Sequence, residues 1–149
     1  YFLPNLINPF KTNSSYSCIN LMSPLIDYNN VINPNNVKVV TTTTNEAIYF
    51  SREPIPSKEK YNGKINYFKQ LGLMSFTRKS LIEFINQKPS LLEQIESVDL
   101  NRLIENGNKI LMISSKYMGT AVDNPEDILV AENEMETDKL FNKYLKNEN

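Results

Sequence analysis

Apolar residues recur along this chain in two patterns, roughly every second residue in the predicted strands and roughly every third or fourth residue in the predicted helices. Residues 37–40 and 47–50 are rich in β-branched and aromatic side chains and flank a polar connection, which predicts a β-hairpin. Residues 67–76 and 109–114 predict two further strands. Residues 1–36 are rich in Asn, Ser and Pro, and predict loops around one short helix or strand.

Helical patterns lie between and after these strands. Residues 79–87 predict a short helix that Pro89 stops. The capping-box pattern from Ser90 to Glu93 opens a helix that extends to about Asn106, with Gly107 as the first residue beyond its end. Asn124 followed by proline predicts the start of a last helix running toward Tyr144. Because strands and helices alternate, the predicted class is α/β with a mixed sheet, in a single domain over residues 1–149.

Composition narrows the possible functions. A formal net charge of -1 gives no electrostatic case for nucleic acid or for an acidic membrane, and no apolar run is long enough to span a membrane. Cys18 is the one cysteine, which fits a reducing cytoplasm, and we interpret it as a small buried apolar residue rather than a nucleophile. The chain has no histidine, so its chemistry must use carboxylates, amines, guanidinium groups, hydroxyls or a hard cation.

Asp123 and Arg52 are the leading candidates for chemistry. Asp123 precedes a predicted helix N-cap, where a carboxylate can face the cleft at the carboxyl ends of strands and bind Mg²⁺. The alternative, favoured by spacing alone, is that it only complements the helix dipole. Arg52 ends a predicted strand and could bind a carboxylate or phosphate with two hydrogen bonds, or form a surface ion pair with Glu53 or Glu59.

Two further interpretations concern charged residues within the predicted elements. If residues 91–106 form one helix, then Ile95, Asp99 and Arg102 share a face near a cleft, or Asp99 and Arg102 form an intrahelical pair. Lys38 alternates with apolar neighbours in a strand, so we expect it to face solvent unless a nucleotide lies nearby.

Four segments in a fixed order resemble one enzyme family. They are Asn-Asn-Val-Lys-Val-Val at 35–40, Ala-Ile-Tyr-Phe-Ser-Arg at 47–52, Pro-Ile-Pro at 54–56 and Val-Asp-Asn-Pro-Glu-Asp at 122–127. Together they are similar to the C-terminal half of the 3-deoxy-manno-octulosonate (KDO) cytidylyltransferases, also called CMP-KDO synthetases. The resemblance implies the C-terminal part of a nucleotide-diphospho-sugar transferase-like fold with three layers and a mixed sheet.

The resemblance also implies roles for particular residues. Asp123 matches the family aspartate that binds catalytic Mg²⁺ with a second aspartate from the N-terminal half, and Arg52 matches an arginine of the sugar-acid site. Asp99 takes the place of a family glutamate at that site. Gln70 and Met74 stand where the family has a histidine and a tyrosine that touch the sugar, and Leu100 replaces a glutamine. These departures indicate a divergent branch whose acidic sugar is KDO or a relative of it.

The activity implied is transfer of CMP from CTP to an acidic 2-keto sugar, with release of pyrophosphate. The chain starts at a tyrosine, and the family's nucleotide-binding half is expected to be absent from it, so these 149 residues are expected to lack turnover. A homodimer, a cytoplasmic location and a place in lipopolysaccharide assembly are further family-level expectations. The alternatives are a related nucleotidyltransferase for another acidic sugar and a non-catalytic dimerisation or interaction domain that retains the fold.

Overall fold

The computed structural model describes residues 3–13, 15–115, 122, 124–138, 141 and 143, and the chain divides into two compact units, Tyr1–Tyr117 and Met118–Asn149. The predicted single domain over residues 1–149 stays a prediction. The elements of the first unit are α1 (Leu3–Thr12), β1 (Tyr16–Leu25), α2 (Tyr28–Ile32), β2 (Lys38–Thr41), β3 (Ala47–Ser51), β4 (Tyr67–Phe76), α3 (Arg78–Asn86), α4 (Leu91–Glu96), α5 (Leu100–Glu105) and β5 (Lys109–Ser114). The second unit contains α6 (Pro125–Thr137).

The described strands form one mixed sheet in the order β3-β2-β4-β1-β5. β1 is parallel to β5 and antiparallel to β4, while β2 and β3 form the predicted antiparallel hairpin. α1 packs on one part of the apolar core through Leu6, and α5 contributes Leu100 and Leu103 to the other. The predicted α/β class, the hairpin, β4, β5 and α3 are therefore confirmed.

The prediction for residues 1–36 was wrong, because this segment supplies two helices, α1 and α2, and the long strand β1 next to the end of the sheet. Six consecutive residues of β1 are buried, so both of its faces are covered. A strand covered on both faces need not alternate apolar with polar residues. The buried run of β1 contains the polar residues Asn20 and Ser23, and α1 contains Pro9. These residues interrupt the apolar patterns from which a strand and a helix are predicted.

The single helix predicted after Ser90 is two short helices. Ser97 adopts a left-handed conformation with φ 51° and ψ 50°, which ends α4, and the amide of Val98 donates to the carbonyl of Glu93 at 3.1 Å. The prediction that Ile95 shares a helical face with residues beyond this break is therefore wrong. The two predicted boundaries are confirmed, since Glu93 accepts a hydrogen bond from the Ser90 amide and Gly107 has a positive φ of 73°.

The start of α6 follows the predicted capping pattern. Asn124 is the N-cap, Pro125 is the first helical residue, and the Asp127 carboxylate accepts a hydrogen bond from the Asn124 amide at 2.8 Å. The helix ends at Thr137, short of the predicted Tyr144. Asp127 thus serves the helix start, as its position in the sequence predicts.

A side chain of α5 provides hydrogen-bond partners for the outer edge of strand β3. The Asn101 amide nitrogen donates to the Phe50 carbonyl at 3.0 Å, and its oxygen accepts from the Phe50 amide at 3.2 Å. Both residues are 0% exposed, so water cannot replace these bonds. Asn101 therefore acts as one residue of an additional strand, and it fixes α5 against the hairpin.

We expect Asn101→Leu to lower the free energy of unfolding by about 2–4 kcal/mol, because it leaves a buried donor and a buried acceptor unpaired. Urea titration monitored by circular dichroism measures the change. Asn86→Leu, at an exposed position at the end of α3, is the matched control and should change stability by less than about 0.5 kcal/mol. A similar stability for both variants would contradict the role of Asn101.

Candidate functional site

Arg52 follows the last residue of β3, and backbone carbonyls hold its guanidinium group. Nε donates to the Glu96 carbonyl at 2.8 Å, Nη2 to the Ser97 carbonyl at 3.2 Å, and Nη1 to the Pro34 carbonyl at 2.9 Å. A guanidinium has five N–H groups, so two of them have no partner among the described residues. Arg52 is thus fixed in place while it keeps donors for a ligand.

The ion pair proposed between Arg52 and Glu53 or Glu59 is not found within the described residues. The cause is the break after α4, which turns two successive carbonyls toward the guanidinium group. Backbone carbonyl oxygens are acceptors for the N–H groups of a guanidinium. The alternative of a surface ion pair is therefore wrong for Arg52.

The Glu96 carboxylate binds three groups of the same strand end. One oxygen accepts from the hydroxyls of Tyr49 and Ser51, each at 2.8 Å, and the other accepts from the Arg52 amide at 2.8 Å. Tyr49 and Ser51 alternate along β3 and so lie on one side of it. A single carboxylate thereby fixes the last turn of α4 to the end of β3.

These contacts shift the pKa of both the carboxyl group and the phenol. Burial raises the pKa of Glu96, but hydrogen bonds from the Arg52 amide, Tyr49 and Ser51 outweigh burial and lower it below its ordinary value. Burial and the hydrogen bond to Glu96 raise the pKa of Tyr49 to about 12. At neutral pH the pair is therefore an ionised carboxylate and a neutral phenol.

Lys38 lies inside the protein, so the prediction that it faces solvent was wrong. Its side chain is 0% exposed, and Nζ donates to the Asn33 carbonyl at 3.1 Å and to the Arg52 carbonyl. The loop after α2 and the segment after β3 cover this face of β2. Burial lowers the pKa of Lys38, and the nearby carboxylate of Glu53 opposes that change.

The other predicted site residues fall into separate places. Asp99 is exposed at the start of α5, two residues after the Ser97 carbonyl that binds Arg52. Gln70 is half-buried, and its amide donates to the Val37 carbonyl at 2.8 Å. Further along β4, Met74 packs against the apolar core, as does Leu100, which is 1% exposed. Asp123 lies outside the described residues.

Arg102 binds Glu93 and not Asp99. Its Nε donates to Glu93 at 2.7 Å, Nη2 contacts the other oxygen of the same carboxylate, and its guanidinium carbon lies 4.4 Å from the centre of the Phe84 ring. The proposed intrahelical pair of Asp99 and Arg102 is therefore wrong. This ion pair fastens the end of α3 to α4 and α5, and it leaves the Asp99 carboxylate facing solvent.

The described residues do not by themselves provide a metal site. Within residues 3–13, 15–115 and the described part of the second unit, no group of three or more His, Cys, Asp or Glu side chains could hold an ion. Cys18 is 0% exposed, and burial raises the pKa of its thiol to about 12, which confirms it as a buried residue without thiolate character. Among the same residues no helix has the length and apolar character needed to cross a membrane.

Comparison with known proteins decides the family. The family model described as Cytidylyltransferase matches residues 3–110, which is more than half of the chain. The chain belongs to the cytidylyltransferase family. The matched region contains Arg52, Glu96, Lys38 and Asn101, so the whole arrangement at the end of β3 lies inside the family's domain.

Individual relatives of this cytidylyltransferase chain give a consistent result. The 3-deoxy-manno-octulosonate cytidylyltransferase of Fusobacterium nucleatum is 39% identical over 124 residues, covering 83% of this chain and 50% of that protein. The protein of the same name from Christiangramia forsetii is 36% identical over 108 residues, covering 72% of this chain and 44% of that protein. The chain therefore spans about half the length of the curated relatives it matches, and the predicted resemblance is confirmed.

A solved structure is similar in fold. It is CMP:2-keto-3-deoxy-manno-octonic acid synthetase complexed with CTP, and it superposes with a TM-score of 0.76 at 27% identity over 88% of this chain and 56% of that one. This likeness confirms the predicted transferase-like fold. The bound CTP is a property of that protein.

Sequence reasoning missed the roles of Glu96, Lys38 and Tyr49. The available signal was the alternation of Tyr49 and Ser51, which places two hydroxyls on one side of a strand directly before an arginine. A carboxylate acceptor from elsewhere in the chain is expected for such a pair. Which carboxylate supplies it depends on the break at Ser97, and no local pattern indicates that break.

We expect the stability of the protein to fall as the pH drops below the ordinary carboxyl range, and Glu96 to cause part of that fall. Its folded pKa is below the unfolded value of 4.5, so its contribution is present above that pH and is lost as pH falls through the folded pKa. Glu96→Gln should lower the free energy of unfolding by about 2 kcal/mol at pH 7 and by less at pH 3. Urea titrations at both values measure the difference.

The control for this measurement is Glu83→Gln, which changes an exposed carboxylate paired with Lys79 on α3. It should follow the wild-type protein at both pH values, because exposed pairs contribute little. An equal loss at pH 7 and pH 3 in Glu96→Gln would contradict the assigned charge state.

Proposed function

We propose that this chain is the sugar-acid-binding half of a cytidylyltransferase that joins CMP to an acidic 2-keto sugar, KDO or a relative, with release of pyrophosphate. The observation that supports the proposal best is the geometry of Arg52. Its guanidinium group is fixed by three carbonyls and retains two donors among the described contacts. A fixed guanidinium with two donors suits the planar carboxylate that distinguishes a sugar acid from a neutral sugar.

The neighbouring groups favour an anion that is small and polar. The Glu96 carboxylate is already saturated by hydrogen bonds from β3, so it does not compete for the guanidinium donors. Asp99 is exposed two residues after the Ser97 carbonyl that binds Arg52, and its carboxylate can accept hydrogen bonds from sugar hydroxyls. Arg52 would therefore set the orientation of the acid, and Asp99 would select the hydroxyl-bearing side of the ring.

In the proposed reaction the anomeric hydroxyl of the sugar acid attacks the α-phosphorus of CTP. A bond forms between that oxygen and phosphorus, the bond to the β-phosphate oxygen breaks, and pyrophosphate carries away the electron pair. The hydroxyl proton passes to solvent or to a base that lies outside the described residues. Positioning by Arg52 contributes by converting an encounter of two substrates into a fixed approach.

Mg²⁺, when bound, would neutralise charge on the triphosphate. We propose that Asp123 supplies one carboxylate to it, as its Val-Asp segment implies, and that the remaining ligands come from substrate and from a preceding half of the protein. The described residues alone do not make such a site, so none of the contributions assigned above to Arg52 and Asp99 depends on the ion. The contacts to cytidine and triphosphate belong to the same preceding half.

The three positions at which this chain departs from the family bear on how the sugar acid is recognised. Gln70 retains a polar side chain, whereas Met74 and Leu100 belong to the apolar core and offer no hydrogen bond. Polar contacts to a hydroxyl discriminate strongly between related substrates. We therefore propose that this chain makes fewer polar contacts to the hydroxyls of its acidic 2-keto sugar, KDO or a relative, than a site with histidine, tyrosine and glutamine at these positions. A homodimer, a cytoplasmic location and a role in lipopolysaccharide assembly complete the proposal.

The direct test is pyrophosphate release by the longer protein in which this chain is joined to a nucleotide-binding half, supplied with CTP, Mg²⁺ and a panel of 2-keto sugar acids. We expect release with one sugar acid and its loss in Asp123→Ala, because that change removes a metal ligand. Glu132→Ala, an exposed carboxylate of α6, is the control and should retain activity. Release by no sugar acid would favour the non-catalytic interaction domain, and full activity of Asp123→Ala would contradict its metal role.

Arg52→Ala should raise the KM for the sugar acid by about tenfold or more, because a charge-assisted hydrogen-bond pair is lost, and should leave the KM for CTP nearly unchanged. Steady-state kinetics with each substrate varied in turn measures both constants. Arg78→Ala, at the exposed start of α3, is the matched control. Equal changes in the two KM values would assign Arg52 a structural role only.

A further inference from the structure

A completely buried lysine, Lys38, lies beside the proposed ligand-binding arginine and has no ion-pair partner in the part of the chain that the structure describes. Among the described residues Lys38 makes no salt bridge, and its Nζ contacts only the carbonyls of Asn33 and Arg52. Carbonyls are partial charges, so they compensate a buried ammonium group less well than a carboxylate does. Burial accordingly lowers the pKa of Lys38.

An apolar side chain of the same length would remove this desolvation penalty. It would also leave the carbonyls of Asn33 and Arg52 without the donor that Nζ provides, and unpaired buried acceptors lower stability. Val39, the next residue of β2, faces the opposite side of the strand and belongs to the apolar core. The role of the ammonium group therefore lies in the two segments that its hydrogen bonds join.

The contacts of Lys38 coincide with those of Arg52. Lys38 joins the Asn33 carbonyl to the Arg52 carbonyl, and the Arg52 guanidinium donates to the carbonyl of the next residue, Pro34. Lys38 and Arg52 therefore each connect the loop after α2 to the segment after β3 by hydrogen bonds. Glu96 fixes the amide of Arg52 from the other side.

We propose that Lys38 is a positioning residue that sets the orientation of the Arg52 guanidinium toward its ligand. This rests on the proposed function only in naming the ligand, a 2-keto sugar acid whose carboxylate binds Arg52. Lys38 acts on the backbone of Arg52 and does not touch the ligand. Its ammonium group donates a hydrogen bond to the Arg52 carbonyl, so the Arg52 side chain extends from a fixed backbone.

The test uses the full 149-residue chain with ¹⁵N-labelled arginine and the substitution Lys38→Met, which keeps an unbranched apolar stem and removes the ammonium group. In the wild-type protein the Arg52 Nε–H, bonded to the Glu96 carbonyl at 2.8 Å, should exchange slowly with solvent. In Lys38→Met we expect its exchange to become about tenfold faster, because one charged hydrogen bond that orders this segment is lost. KDO is then titrated into both proteins and the shift of the same signal is followed.

Lys69→Met is the matched control. Lys69 is the partner of Lys38 across β2 and β4, and it is only half-buried. It should leave the exchange of the Arg52 Nε–H unchanged. The Arg102 Nε–H, bonded to Glu93 at 2.7 Å, is an internal reference that should stay the same in all three proteins.

The outcomes separate the two proposals. Faster exchange at Arg52 alone supports the positioning role, and a KDO-induced shift in the wild-type protein that Lys38→Met weakens supports it further. Faster exchange without any shift on adding KDO keeps the positioning role and counts against KDO as the ligand. Unchanged exchange at Arg52 in Lys38→Met, or equal acceleration at Arg52 and Arg102, overturns the proposal, because the lysine would then be unimportant or merely structural.

Discussion

The arrangement of this protein depends most on the hydrogen bonds that the Glu96 carboxylate accepts. It accepts hydrogen bonds from two hydroxyls and one amide, all belonging to the last residues of β3. A half-buried carboxylate is stable only when its oxygens are satisfied, so the strand end and the helix end must form together. The lowered pKa of Glu96 reflects this mutual requirement.

A second constraint acts on the same strand. β3 lies at the edge of the sheet, and its Phe50 backbone is buried by α5, so its outward amide and carbonyl need partners. Asn101 provides both partners, and the left-handed Ser97 allows Glu96 and Asn101 to reach the strand from two different helices. The break in the predicted helix is therefore required for sealing the edge, and it also exposes the carbonyls that hold Arg52.

The proposed sugar-acid site is a consequence of this junction. The guanidinium group of Arg52 is held by the turn after α4 and by the loop after α2, and the buried Lys38 joins that loop to the Arg52 carbonyl. Rigid support of this kind lowers the entropy lost on binding a small anion. The chain covers about half of its curated relatives, and the described half contributes the rigid arginine, while the metal and nucleotide contacts are proposed for other segments.

The sequence alone determined the elements whose signals are local, and it determined the family. The hairpin, β4, the glycine after α5 and the capped start of α6 follow from strand propensity, positive φ and capping, which act within a few residues. Tertiary structure decided β1, the break at Ser97, the burial of Lys38 and the partners of Arg52. Each depends on groups far apart in the chain, such as Lys38 with Arg52 or Phe50 with Asn101. Burial and hydrogen-bond satisfaction are properties of the packed chain, so no local pattern contains them.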